Sequence, residues 1–295
     1  MDSFEEHLSE NKDKKMAVIT PGGNHGDTLI HMGLIKKLEE YNINYTCFNL
    51  EHLYKKNPVL GAKYLINIGL WKLGSDNGFR LLNLPEDTER ILFEGGGYMN
   101  DIWYGPALLR QVMKRNPQPV TVGPQSYLFT KTKFDQYFTD NRPVHLFCRE
   151  EYSYTHLSEK GLPDNIAYSV SPELALYLTV EDLTEYISEN NCGYELVAFR
   201  SDKESALNPV ANSRVMGLCK NPVVSDVSMV GTMKDFVSSV YNATQIYTDR
   251  LHVAILSKIL GKKVVLFGNK YHKNKGVWEL SLKDHVEYVE SNGGF

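Results

Sequence analysis

Several things are scarce in this sequence, and each scarcity excludes a class of protein. Cysteine occurs four times in 295 residues, at Cys47, Cys148, Cys192 and Cys219. No two are spaced as C-x-x-C, so neither a metal site nor a redox pair is expected, and all four read as reduced, mostly buried thiols. No apolar run is long enough to cross a bilayer, and Met1–Lys15 is polar and mixed in charge, unlike a signal peptide. The expectation is a soluble cytoplasmic protein without a transmembrane segment, with peripheral attachment to a membrane left open. Neither sign of charge dominates: 32 Lys and Arg against 36 Asp and Glu leave a net −4, and the cations are dispersed. That balance argues against nucleic acid as a partner. The dinucleotide fingerprint G-x-G-x-x-G and the P-loop with its lysine are both missing, which disfavours an NAD enzyme. Repeats of fixed period and low-complexity segments are absent as well.

What is present is a chain with 42% hydrophobic residues, long enough for one large domain or two ordinary ones. Short apolar runs alternate with helical patterns. Strands are predicted at Met16–Thr20, Tyr45–Leu50, Arg90–Glu94, Pro119–Val122 and Val144–Cys148. A second series runs through Ile166–Ser169, Glu195–Phe199, Gln245–Thr248 and Lys263–Phe267. Helices are predicted at about Asp27–Tyr41 with Asp27 as N-cap, Pro106–Lys114, Thr179–Asn190, Gly231–Asn242 and Asp249–Leu260. Leu53–Leu73 looks helical but is interrupted by Pro58 and Gly69. The alternation implies parallel sheets with crossover helices, and two series imply an α/β fold of two Rossmann-like domains, residues 1–165 and 166–295. Ligands of such sheets bind beyond the carboxyl ends of the strands.

The unusual clusters sit at those ends. Tyr247-Thr-Asp-Arg-Leu-His252 closes a strand and opens a helix. Arg250 and His252 there combine with the N–H groups of Leu251 and His252 into a compact anion site holding a proton donor. Pro21-Gly-Gly-Asn-His-Gly-Asp27 follows the first strand, and Glu94-Gly-Gly-Gly97 ends the third. Glycines there let a ligand approach the backbone, although a tight exit beneath a neighbouring loop explains Gly95, Gly96 and Gly97 equally well. Gly123-Pro-Gln-Ser126 is a turn in its simplest reading. Arg149 is either a local partner of Glu150 or Glu151 or a clamp on an anion. Lys270-Tyr-His-Lys-Asn-Lys275 is a basic loop beyond the same sheet edge as Arg250.

Together these clusters resemble the polysaccharide pyruvyl transferase family. The matching signatures run in order: Gly23-Asn-His-Gly-Asp27, Glu94-Gly-Gly-Gly97, Pro124-Gln-Ser126, Arg149-Glu-Glu-Tyr-Ser-Tyr154, Pro172-Glu-Leu-Ala-Leu176, Thr248-Asp-Arg-Leu-His252 and Tyr271-His-Lys273. The wording around Pro124-Gln-Ser126 is closest to the exopolysaccharide branch. The resemblance implies an architecture like the B-type glycosyltransferases, with residues 1–165 on the acceptor side and 166–295 on the donor side. It implies phosphoenolpyruvate as donor and a hexose of a glycan or lipid-linked saccharide as acceptor, joined as a cyclic pyruvate ketal with release of phosphate. No cofactor or metal is implied. Arg149, Arg250, Leu251 and Lys273 (with Lys275 as rival) then bind the donor, and His252 is the acid. Asn24, His25, Gly95, Gly96, Gly97 and Gln125 complete the binding set, and Asp27 is the favoured base ahead of His25 and Asp101. Two departures stand out: Glu173 where the family usually has Asp, and a chain short for the family. The alternatives are a nucleotide-sugar glycosyltransferase and a non-catalytic glycan-assembly protein.

Overall fold

The computed structural model describes residues 1–75, 78–190, 193–202, 204–206 and 209–290. Contacts divide the chain into two compact units. One comprises Met1–Gly23 and Leu34–Leu174; the other comprises Asn24–Gly33 and Ala175–Phe295.

The first unit is built on strands β1 (Met16–Thr20), β2 (Tyr45–Asn49), β3 (Arg90–Phe93), β4 (Val120–Gln125), β5 (Val144–Cys148) and β6 (Ile166–Val170). All pairings are parallel, in the order β2-β1-β3-β4-β5-β6. Every residue of β1 is buried, as expected for a parallel strand covered on both faces. Ile166–Val170, which the sequence assigns to the second series, pairs with β5 here. The first unit therefore runs on to Leu174 rather than ending at residue 165. Its helices are α1 (Ser3–Glu10), α2 (His25–Glu40), α3 (Leu50–Lys56), α4 (Pro58–Lys72), α5 (Gly105–Met113) and α6 (Glu151–Ser158). The opening turns of α2 count with the second unit. Pro58 does split the expected Leu53–Leu73 helix, because it cannot donate within a helix but suits a first turn. Gly69 does not interrupt it.

The second unit repeats the plan. Strands β7 (Tyr194–Ala198), β8 (Pro222–Val224), β9 (Ala243–Thr248), β10 (Val264–Phe267) and β11 (Glu287–Val289) form a parallel sheet in the order β11-β10-β9-β7-β8. Its own helices are α7 (Pro209–Leu218), α8 (Met233–Tyr241), α9 (Leu251–Ile259) and α10 (Lys273–Val277). Thr179–Asn190, expected as a helix, forms only a short 3-10 segment at Glu181–Tyr186. Leu251, Val253, Ala254, Ile255 and Leu256 of α9 are all buried in the unit's core with Leu29, Phe236 and Leu266. Each large aliphatic chain so buried contributes about 1.5–3 kcal/mol, which fixes the helix start that follows β9.

In each sheet the strand order reverses at one place. It lies between β1 and β3 in the first unit and between β7 and β9 in the second. Such switch points leave a crevice at the carboxyl ends of the strands, where open α/β sheets bind ligands. Of the thiols, only Cys148 is buried; Cys47 is exposed and Cys219 is intermediate, contrary to expectation, and Cys192 lies outside the described residues.

Candidate active site

At the second unit's switch point, Asp249 and Arg250 follow β9, and Arg200 and Asp202 follow β7. The turn after β9 is tied down by Thr248, whose hydroxyl donates to Ala198 O (2.7 Å) and accepts from Arg250 N–H (2.9 Å). Asn274 donates to both Asp249 O and Phe267 O at 2.9 Å, locking this turn to the one after β10. Arg250 occupies the N-cap position of α9 without making a side-chain cap. The first-turn N–H groups of any helix lack intrahelical acceptors.

Three cations and four carboxylates meet here. Arg250 donates through Nε to Asp226 Oδ1 (3.0 Å), through Nη2 to Asp226 Oδ2, and through Nη1 to Asp202 (3.2 Å). Three of its five N–H donors are thus spent, and two remain among the described residues. Arg200 grips Asp202 through Nε and Nη2 (2.7 and 2.8 Å) and donates through Nη1 to Glu204 at 2.7 Å. Lys273 Nζ closes on the same Glu204 carboxylate. Asp249 accepts from Arg200 N–H (2.8 Å) and the Ser205 hydroxyl (3.2 Å).

The electrostatics follow from this crowding. Burial raises the Asp202 pKa, but the Arg200 hydrogen bonds, the Glu204 N–H and the charges of Arg200 and Arg250 outweigh it and hold the carboxyl at about 2. Burial dominates at Asp249, whose pKa is pushed up to about 6 against the pull of Arg200 and Arg250. Burial disfavours the Arg200 cation, but Asp202, Glu204 and Asp249 overcome it and raise its pKa.

His252 stands in the first turn of α9, beside the first turn of α2. A Cβ added at Gly26 would lie 2.6 Å from His252 Nδ1 and 2.7 Å from its Cβ. Glycine at 26 is what lets the imidazole lie against that backbone. The α2 turn is itself closed by reciprocal bonds. Asn24 Oδ1 accepts from Gly26 N–H, and Asp27 Oδ2 accepts from Asn24 N–H, both at 2.8 Å. The helix therefore begins at His25 with Asn24 as its cap, and Asp27 is two residues inside rather than at the cap. His25 stacks on Phe236 at 5.7 Å and its Nε2 meets Gly231 O at 3.1 Å.

The second unit thus holds Asn24, His25, Asp27, Arg250, Leu251, His252 and Lys273 of the expected set. Lys273 joins the charge cluster, whereas the rival Lys275 pairs with Glu290 at 2.8 Å on the surface. Arg200, Asp202, Glu204, Asp226 and Asn274 were not expected. Among the described residues no group of three His, Cys, Asp or Glu side chains is placed to hold a metal ion.

The first unit holds Gly95, Gly96, Gly97, Gln125 and Arg149. Gly95 and Gly96 are closely packed. A Cβ at Gly95 would sit 2.7 Å from Pro124 O, and Gly96, at φ +133°, exchanges backbone bonds with Pro124 O and Ser126 N–H. Gln125 is fully buried, its amide donating to Glu94 O (2.9 Å) and accepting from Tyr98 N–H (3.4 Å). Arg149 donates through Nε to Ser126 at 2.9 Å. It is 1% exposed, and its Nη1 has no hydrogen-bond partner among the described residues. An unpaired buried guanidinium nitrogen is costly and marks a place where an anion would be favoured. Glu150 caps α6 through Ser153 N–H at 2.8 Å. Asp101 accepts from the N–H groups of Thr130, Lys131 and Thr132 (2.6–3.0 Å), which overcome its burial and hold it at about 2. Those hydrogen bonds make its carboxylate a weak base.

Fold and clusters define an α/β protein of two Rossmann-like units with a cluster of paired cations and carboxylates at a strand-order switch. The chain belongs to the polysaccharide pyruvyl transferase family, whose model matches residues 24–271, and it is accordingly a transferase. A functionally uncharacterised protein of Klebsiella pneumoniae, KP1_0663, has a similar structure at TM-score 0.67 and 19% identity, over 98% of this chain and 99% of that one. The UDP-GlcNAc 2-epimerase of Methanocaldococcus jannaschii, in complex with UDP-GlcNAc and UDP, is similar at TM-score 0.53 and 14% identity, over 94% and 89%. Both likenesses concern the fold. No protein of curated function matches the chain.

Proposed function

We propose that the chain transfers a pyruvyl group from phosphoenolpyruvate to a hexose of a polysaccharide or lipid-linked glycan, closing a cyclic ketal. The observation carrying this reading is the convergence of Arg250, Arg200 and Lys273 beside the helix start that bears His252. Phosphoenolpyruvate presents a phosphate and a carboxylate on three carbons, so its binding needs several placed cations. The two N–H donors left on Arg250 and the first turn of α9 suit its phosphate. In the reaction, His252 gives its proton to the methylene carbon, and the central carbon becomes an electrophile resembling an oxocarbenium ion. One sugar hydroxyl adds there, phosphate leaves, and a second hydroxyl adds in its place. Both hydroxyl protons pass to base, Asp27 being the proposed acceptor of one. Arg149, in the first unit, is proposed as an anion ligand on the strength of its unpaired buried nitrogen.

Phosphate release from phosphoenolpyruvate tests the reading, measured with a panel of glycans and accompanied by a mass gain and a new ketal methyl resonance on the acceptor. Release that depends on the acceptor supports it. Turnover of a nucleotide sugar instead, with phosphoenolpyruvate inert, would make the chain a glycosyltransferase.

A further inference from the structure

Helix α4 is the wrong way out for a helix of a water-soluble protein. Its inner face packs well: Tyr64 stacks on Tyr54 at 4.6 Å, Tyr64 and Trp71 meet Tyr104 edge-on at 5.3 and 6.0 Å, and Ile68 joins the first unit's core. Buried Asn67 ties the helix to Phe79 N–H and O at 2.7 and 2.9 Å and to Gln111 at 3.2 Å. Those contacts fix the helix through that face. Its opposite face, at Pro58, Val59, Ala62, Leu65, Ile66, Gly69, Lys72 and Leu73, is exposed and almost wholly apolar. Val59 is 65% exposed, Leu65 68% and Leu73 84%, and Phe79 beyond the helix is 47%. The spacing follows the 3.6-residue repeat, so the exposed residues form one stripe. A contiguous apolar stripe in water marks an interaction surface.

Charge says what meets it. From His52 to Ser75 the sequence has no acidic residue but has Lys55, Lys56, Lys63 and Lys72, in a chain whose net charge is −4. Lys56 and Lys72 are exposed near the two ends of the stripe, Lys55 pairs with Glu51 at 2.6 Å, and Lys63 lies 6.0 Å from the Phe79 ring. A second copy docking through a two-fold axis would set these lysines against themselves. A 15-residue helix is too short to span a bilayer. An apolar stripe flanked by lysines is the pattern of a helix lying in the plane of an anionic interface. We infer that the outward face of α4, with Phe79, docks this chain onto the surface of an anionic lipid bilayer. The inference concerns a surface made wholly within the first unit and stands apart from the pyruvyl-transfer reading.

Co-sedimentation of the full chain with vesicles tests it. Binding to vesicles with one-third phosphatidylglycerol should exceed that to pure phosphatidylcholine by about tenfold or more and fall in high salt. Leu65→Glu with Ile66→Glu should lower binding about tenfold. Lys56→Glu with Lys72→Glu should lower it by at least about fivefold per lysine. Both double variants change exposed residues, so their melting midpoints and their turnover of a water-soluble acceptor should match the parent. Wild-type chain left in the supernatant, or variants that bind as well as wild type, would overturn the inference. So would a dimer seen by sedimentation that Leu65→Glu with Ile66→Glu dissolves while vesicles bind nothing.

Discussion

A methyl group at Gly26 would lie 2.6 Å from Nδ1 of His252. The glycine of one helix start therefore sets the ring position of the proposed acid on another. Gly26→Ala should fold, at a cost of about 1–3 kcal/mol for the overpacked contact. Its kcat should fall by about a hundredfold, toward the loss of roughly two to four orders of magnitude expected of His252→Ala. In the double variant the losses should not add, since both changes act on the same ring. Full kcat in Gly26→Ala at normal stability would separate the glycine from the chemistry.

Asp226 holds the Nε–Nη2 edge of the Arg250 guanidinium with both carboxylate oxygens. Asp226→Ala frees that group to turn, so KM for phosphoenolpyruvate should rise by about tenfold while kcat stays within about threefold. Steady-state kinetics distinguish this orienting role from competition. A KM that falls would mean the carboxylate competes with the donor.

Asp27 has two duties to separate, closing the α2 cap and acting as base. Asp27→Asn keeps a carbonyl that accepts from Asn24 N–H, so stability should drop only slightly, by about 1 kcal/mol or less. Loss of a general base should lower kcat by about a hundredfold or more. A kcat that merely follows stability would leave Asp27 with the cap alone.

Beneath α1, His7 meets Thr121 at 2.8 Å and His145 meets Ser169 at 2.9 Å, their rings 5.1 Å apart. Burial lowers the pKa of His7 to about 3, with the charges of His145 and Arg90 adding to it, and lowers that of His145 to about 4. Both lie below the usual 6.5. Between those values the unfolded chain binds protons that the folded chain refuses. Stability is then highest above about pH 6.5 and falls on acidification, by up to about 1.4 kcal/mol per pH unit for each histidine. Asp249, raised to about 6, acts in the opposite sense, since its folded form binds a proton that the unfolded form does not. Two groups oppose one, so the urea midpoint should drop between pH 7 and pH 5. In His7→Gln with His145→Gln the drop should disappear, since Asp249 alone acts the other way. An equal drop in that variant would place the sensitivity elsewhere.

Much of this plan is readable in the chain because parallel strands buried on both faces are written as short apolar runs, as in Met16–Thr20 and Val264–Phe267. The Arg-Leu-His turn was visible because a strand, two polar groups and an apolar helix follow one another directly. Arg200, Asp202 and Asp226 were not. Their importance depends on β8, a strand of three residues with no periodic signature, which places the switch point between β7 and β9. The Gly95–Gly97 segment shows the reverse case. Sequence offers ligand approach and tight packing alike, and the position of Pro124 O gives Gly95 and Gly96 a packing reason. Thr179–Asn190 carries helical spacing, yet tertiary packing grants it a single 3-10 stretch.

Helix α2 belongs to both compact units, and the chain changes unit at Gly23–Asn24, Gly33–Leu34 and Leu174–Ala175. No single truncation can therefore excise either one intact. A fragment starting at Ala175 would leave a void in its own core where Leu29 belongs, a defect of about 2–5 kcal/mol. Isolating the second unit for separate study would require grafting residues 24–33 back onto it by rearranging the gene.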